Sequence, residues 1–245
     1  MAQSLPGTDA YHAAWAGSVH GADRDGHCVW FERLRDVDMH ALIALSDEQL
    51  STHRAQALEV LALQRRAAAE SVGRCAALYT QHIYVLDVGG VSPALLLSGA
   101  ARRVLGVIST VCSSYYGETL FRVYLVHVHA GARIAYGLLR PLLLPADTAA
   151  KVRLCGGPAD FRRAAARDGL DAQALPTALG GGHAGVSVAS LIDAELQRAQ
   201  AKLLCAAAAV AEPESPSTPP LRDAGRRPRM SVRQAVSACW AGGEA

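Results

Sequence analysis

Aromatic side chains are scarce, at 5% of 245 residues with three Trp and three Phe, so any core is built mainly from Leu, Val and Ala. With 51% hydrophobic residues there is enough apolar material for one full domain and a tail. Net charge is scarce too: 24 basic against 22 acidic residues leave +2, and no aromatic and basic residues interleave, which argues against a nucleic-acid partner. The six cysteines, Cys28, Cys75, Cys112, Cys155, Cys205 and Cys239, show no CxxC spacing and suit small buried residues of a reducing compartment better than a disulfide or zinc framework. No apolar run reaches the roughly 20 residues of a spanning helix. The opening MAQSLPGTDAYHAAW lacks a basic stretch followed by an apolar core. A cytoplasmic protein is expected, with membrane contact only peripheral. No internal repeat is present. Gly89–Gly90 and the run Gly180 to Gly182 lack GxGxxG spacing and read as turns, and no GxSxG elbow surrounds Ser113 or Ser114. No enzyme activity and no cofactor are expected.

What is present alternates between strand and helix. Asp23, Arg24, Asp25 and Gly26 signal a turn, and HCVWFE at 27–32 reads as a strand. Ser46 and Gln49 form a capping box ahead of a helix whose period runs through Leu50, His53, Ala57 and Leu61 toward Ala69. IYVLDV at 83–88 is the next strand, Ser92 and Pro93 open a helix to about Ser113, and the β-prone run from Arg122 to His129 is a third strand. Lys151 to Leu154 alternates as an edge strand does. Short helices follow at Phe161 to Asp168 and after Asp171, and a last one from Ser187 to Ala209. The pattern predicts an α/β fold with a mostly parallel sheet.

One segment is unusual. IAYGLLRPLLL at 134–144 has eight apolar residues and one charge, and Pro141 prevents one long regular helix. Such a segment must be buried, inserted at a membrane surface, or each at different times. His127 and His129 stand two apart on the expected strand, so they share a face as metal ligands do, but with no third ligand nearby a structural or pocket-lining role is the favoured reading.

The motifs GADRDGHCVWFERL, YVLDVGGVS, YYGETLFRVYLVHVHAG, LLRPLLLPADTAAKVRLCGG and LPTALGG, in that order, resemble the CRAL-TRIO lipid-binding domain, in particular its phosphatidylinositol/phosphatidylcholine transfer branch. The resemblance covers roughly His20 to Gly181. It implies a sheet floor and helical walls around a hydrophobic pocket for one lipid, with Arg133 to Leu144 in the place of a mobile gate. It also implies a monomer that binds phosphatidylinositol, with a second hydrophobic ligand conceivable, and carries it between cytosolic membrane faces through transient membrane contact. The alternative is a scaffold of the same fold that no longer moves lipid and serves as an interaction or membrane-docking module. The domain is expected over 20–209, with an irregular segment at 1–19 and a disordered tail at 210–245, where Pro, Ser and charge dominate.

Exchange between bilayer and pocket moves acyl chains from one apolar medium to another, so the ~0.8 kcal/mol per methylene gained against water nearly cancels. Choice among lipids must come from headgroup contacts, at about 1.5–3 kcal/mol for a charge-assisted hydrogen bond. By the resemblance, Glu118 of YYGETL stands at a headgroup carboxylate position, and Thr148 and Lys151 of ADTAAK stand where a hydroxyl and an ammonium hold the inositol phosphate. Taken on their own, the three also read as a turn charge, a cap and a solvated strand end. The chain departs from the family pattern in four places. Gly117 replaces a proline, Thr119 replaces a basic residue, and His82 and Tyr84 replace the small hydroxyl residues of a choline site, Tyr84 retaining a hydroxyl able to donate to phosphate. Only about twenty residues precede His20 where the family carries a longer helical region, so that region is either truncated or lost. Arg222, Arg226, Arg227, Arg229 and Arg233 form a basic cluster that either lies on anionic lipid, at roughly 1 kcal/mol per charge, or is a soluble linker.

Overall fold

The structure is a computed structural model and describes residues 5–75, 81–92, 98–133 and 150–211. The chain divides into two units, Met1–Cys205 and Ala206–Ala245, and the second is described only over 206–211. In chain order the elements are α1 (Thr8–Ala14), β1 (Gly17–Ala22), β2 (Cys28–Arg33), α2 (Met39–Ile43), α3 (Asp47–Ser71), β3 (His82–Asp87), α4 (Gly99–Tyr116), β4 (Leu120–Val126), β5 (Val152–Leu154), α5 (Pro158–Arg167), β6 (Val186–Ser187) and α6 (Val188–Ala211), with short 3-10 turns between some of them.

The strands form one sheet in the order β5-β4-β3-β2-β1-β6. Neighbours from β2 to β5 are parallel, while β1 pairs antiparallel with both β2 and β6. The α/β class read from the sequence therefore holds. A parallel pair needs a helical crossover, and α3 and α4 supply those from β2 to β3 and from β3 to β4.

Alternation along the strands sorts their side chains onto two faces. On one, Val29, Phe31, Ile83, Val85, Tyr124 and Val126 pack with Phe161 and Ala165 of α5 and with Leu170, Leu175 and Leu179. On the other, Cys28 and Trp30 pack with Ala57, Leu58 and Leu61 of α3, Val111 of α4 and Val188 and Ile192 of α6. A third cluster joins Tyr11 and Trp15 to Met39, Leu42, Leu50, Val104 and Ile108, docking α1 and α2 against α3 and α4.

The capping box forms as read: Ser46 Oγ accepts from the Gln49 N–H at 3.1 Å, and Gln49 Oε1 accepts from the Ser46 N–H at 3.0 Å. The 23–26 turn forms as well, with Asp23 Oδ1 accepting from the N–H groups of Asp25 and His27 and Gly26 at φ 83°.

Several readings need correction. The segment 1–19, read as irregular, holds α1 and the start of β1. Its short helix is too brief to give a periodic signal, and β1, GSVHGA, is a six-residue antiparallel strand rich in small residues, paired on both sides. The third strand ends at Val126 rather than His129, because His127 takes φ 61°, a left-handed conformation in which no strand continues. His127 and His129 therefore do not share a strand face. His127 Nδ1 instead lies 2.7 Å from Oδ1 of the buried Asp87. Among the described residues no three metal-ligating side chains come together. Of the five described cysteines, Cys28 and Cys155 are buried as expected, Cys112 is half-buried, and Cys75 and Cys205 are exposed. The first two residues of the tail expected to be disordered end α6, and the remainder, with its arginine cluster, lies outside the described residues.

Candidate functional site

On the α3/α4 face the sheet changes character from its centre to the β5 edge. The register pairs Tyr84 with Val123, Leu86 with Leu125, and then Val123 with Val152 and Leu125 with Leu154. These six side chains share one face, and all six are only half-buried. Their sequence neighbours on the opposite face, Val85, Tyr124 and Val126, are wholly buried. Half of the sheet thus carries a strip of Val, Leu and Tyr that the described helices leave partly open.

Tyr84 also belongs to a cavity of about 450 Å³ between the sheet and helices α3 and α4, a size within the usual range for small-ligand sites. Trp30, Arg54, Leu58, His82, Ser109, Cys112, Ser113, Tyr116, Glu118, Thr119 and Leu120 complete its wall. Three of the five residues singled out from the sequence, His82, Tyr84 and Glu118, therefore line one space. They arrive there from two elements. His82 and Tyr84 project from the same face of β3, and Glu118 sits on the turn Gly117–Thr119 that joins α4 to β4. Beside that turn the β3–β4 register slips between His82 and Ile83, leaving Phe121 as an extra residue, and its ring stacks on His27 at 4.0 Å.

The polar heart of the cavity was not foreseen. Arg54 donates from Nη1 to Glu32 Oε1 at 2.7 Å, and the Tyr84 hydroxyl donates to Glu32 Oε2 at 2.5 Å. Arg54 Nε reaches Cys112 Sγ at 3.4 Å, and the guanidinium lies over the Trp30 ring, 4.6 Å from its centroid. Burial and the facing Glu32 carboxylate hold the Tyr84 hydroxyl well above its ordinary pKa, so it stays a donor. From the sequence Tyr84 is able to donate to a phosphate, and in the structure its hydroxyl donates to Glu32. Arg54 announces itself in the sequence only by standing one residue after His53 within the apolar face of α3, and Glu32 only by ending a buried strand.

His82 is 5% exposed, and burial pushes its pKa down to about 3, with the nearby Arg65 cation adding to the effect. Its ring is neutral at physiological pH, and its Nδ1 is buried with no hydrogen-bond partner among the described residues. Glu118 is exposed at the cavity wall. Its backbone carbonyl accepts from Gln81 Nε2 at 3.1 Å, while its carboxylate is unpaired among the described residues. Lys151 is half-buried immediately before β5 and is likewise unpaired among the described residues, but it does not line this cavity. Glu118 and Lys151 stand at the amino-terminal edge of adjacent parallel strands. Thr148 and the gate segment beyond Arg133 lie outside the described residues.

The family model described as the CRAL/TRIO domain matches residues 13–181, more than half of the chain. The chain belongs to the CRAL/TRIO family. Among curated proteins, the Arabidopsis thaliana phosphatidylinositol/phosphatidylcholine transfer protein SFH11 is 27% identical over 168 residues, which cover 66% of this chain and 42% of that protein. SFH13 of the same plant, of the same description, is 30% identical over 168 residues, 66% of this chain and 25% of its own length. This chain thus spans less than half the length of either relative. A solved structure titled "Crystal structure of Sfh5" aligns at 14% identity with a TM-score of 0.43, over 66% of this chain and 55% of that one. Within the CRAL/TRIO match fall the cavity, the apolar strip, Glu118 and Lys151. Among the described residues no helix is long and apolar enough to cross a membrane.

Proposed function

We propose that this CRAL/TRIO chain binds one phospholipid, phosphatidylinositol by preference, and carries it between cytosolic membrane faces as a monomer in transient, peripheral contact with them. The observation that carries the reading is the strip of Tyr84, Leu86, Val123, Leu125, Val152 and Leu154, an apolar surface left half-open on the sheet face that also floors the cavity. Acyl chains laid along that strip exchange one apolar environment for another, so release to a membrane has no large hydrophobic barrier in net free energy. The unpaired carboxylate of Glu118 and ammonium of Lys151, at the same edge of the sheet, supply an acceptor for inositol hydroxyls and a cation for phosphate, with Thr148 as a further donor. The segment 133–144 acts as the gate. The names of the relatives, transfer proteins for phosphatidylinositol and phosphatidylcholine, support the lipid class.

Native mass spectrometry of the purified full chain, followed by extraction and identification of whatever lipid accompanies it, tests the reading. A stoichiometric inositol lipid is the expected result. A protein that is empty as purified and extracts nothing from liposomes would discard transfer and leave a docking scaffold of the same fold.

A further inference from the structure

A further cleft, of about 630 Å³, lies at the carboxyl ends of the parallel strands. Each strand hands it a residue from the loop that follows: Arg35 after β2, Gly89 and Gly90 after β3, His127 and His129 after β4, and Gly156 after β5. Arg133 completes the basic part of the wall. This edge of an open parallel sheet is where successive loops converge to hold a small ligand. Glu118 and Lys151 stand at the opposite edge, a strand's length or about 20 Å away.

Every ionisable side chain in the wall is basic, and the arginines are only loosely engaged. Arg35 meets its exposed neighbour Asp36 at 3.5 Å, while that carboxylate accepts from Arg33 at 3.0 Å. Arg133 meets Asp160 at 3.6 Å, where the Gly156 N–H donates to the same oxygen at 3.1 Å and Arg163 pairs with the other. Exposed pairs of this kind hold a guanidinium weakly, so both forks keep donors free for a better acceptor.

The two histidines are oriented from behind. The Asp87 carboxylate can only accept, so the hydrogen lies on His127 Nδ1 and Nε2 is the free nitrogen. The His127 side chain is 34% exposed against 3% for Asp87, so the open part of the ring is the side turned away from that carboxylate. The Gly131 N–H donates to His129 Nδ1 at 3.3 Å, which puts the proton of a neutral His129 ring on Nε2 as a donor. Two planar forks and two ring nitrogens brought by separate loops approach one space from several directions. A tetrahedral, doubly charged oxyanion can satisfy such a set, whereas a planar carboxylate offers too few acceptors.

We propose that this cleft binds the phosphate of a phosphomonoester, held by the Arg35 and Arg133 guanidiniums and by Nε2 of His127 and His129. His127 donates to a phosphate oxygen when its ring is charged and accepts from a P–OH when it is neutral. The site is separate from the lipid site proposed above and does not depend on it. The ester can be a small soluble molecule or a lipid headgroup ending in a phosphomonoester, and the two arms of the test distinguish them.

The full chain is titrated calorimetrically at low ionic strength with glycerol 3-phosphate and with acetate, and is sedimented with phosphatidylcholine vesicles with and without phosphatidic acid. Saturable binding of glycerol 3-phosphate, with a dissociation constant below about 1 mM and weakened by salt, assigns a soluble ester. Sedimentation that requires phosphatidic acid, without binding of glycerol 3-phosphate, assigns a lipid headgroup. In whichever arm responds, His127→Asn and Arg35→Met should each weaken binding about tenfold. The Asn amide can still donate to Asp87 but places no atom where Nε2 stood, and Arg35→Met alone decides if the Asn variant fails to fold by thermal melting. Arg198→Met makes the same change of charge on α6, away from the cleft, and should leave binding as it was. No binding in either arm, acetate bound as well as glycerol 3-phosphate, binding that survives both cleft variants, or an equal loss in Arg198→Met overturns the proposal, and each of these leaves the lipid-binding reading where it stood.

Discussion

Arg54 on α3 and Glu32 at the end of β2 form an ion pair at 2.7 Å with side chains 5% and 1% exposed. Removing one partner of a buried pair strands the other charge, at a cost of about 3–5 kcal/mol, whereas replacing both with apolar residues of similar volume is often neutral or better. Arg54→Met and Glu32→Leu should each lower stability by about that amount, and the double variant should recover much of the loss. Urea denaturation of the four proteins in a double-mutant cycle measures it. Additive single losses would mean that the pair is not energetically coupled.

His127 occupies a left-handed conformation, φ 61°, while its Nδ1 holds the buried Asp87 at 2.7 Å. Asn tolerates that conformation and carries a donor, so His127→Asn should stay within about 1 kcal/mol of the wild type. A β-branched residue tolerates neither demand. His127→Val should cost on the order of 2–4 kcal/mol, combining backbone strain with a partly stranded carboxylate, although the Gly89 N–H still reaches Asp87 at 2.9 Å. Thermal melts of the two variants test the ranking, and equal melting would show that the backbone at this position relaxes freely.

The order of elements around the sheet was legible because each is long or strongly capped. Ser46 and Gln49 mark α3, the runs through Trp30, Val85 and Tyr124 are apolar on both sides as parallel strands must be, and Gly89 and Gly90 close β3. The shortest elements were not legible. The helix at Thr8–Ala14 and the two-residue strand at Val186 owe their existence to partners more than twenty residues distant in sequence, Met39 and Leu42 for the former and Val19 for the latter. The same limit applied to the site. His82, Tyr84 and Glu118 were found because they occupy positions of a motif. Arg54 and Glu32, 22 residues apart, meet only once α3 has folded back over β2, and an arginine among leucines and alanines gives no local sign of its partner.

Burial holds His12 at a pKa of about 4 and His82 at about 3, both below the 6.5 of an unconstrained histidine, so both rings are neutral in the fold at pH 7. The unfolded chain takes up protons first as pH falls through about 6.5. Stability is therefore full above that value and declines as pH drops toward 4, with a slope of up to about 1.4 kcal/mol per pH unit for each ring. Near neutrality the two rings contribute no slope. Urea midpoints at pH 7, 6 and 5 should show this decline, and a His12→Phe, His82→Phe double variant should show a shallower one. The same slope in both proteins would assign the acid sensitivity to other groups.

Lys151 stands just before β5, half-buried and without a partner among the described residues, while Glu118 stands just before β4 on the same edge of the sheet. A side chain that pairs with nothing among the described residues adds little to their packing, so Lys151→Ala should change stability by no more than about 0.5 kcal/mol. If the ammonium holds a lipid phosphate, the same substitution removes a charge-assisted hydrogen bond of about 1.5–3 kcal/mol and weakens phosphatidylinositol uptake by roughly ten- to a hundredfold. Transfer of labelled phosphatidylinositol between vesicles measures that loss, and thermal melting measures the stability. Weakened transfer with intact melting is the signature of a ligand contact, because a structural role would lower both. Transfer that is unchanged in Lys151→Ala would remove Lys151 from the site and leave Glu118 and the His82 cavity as the recognition elements.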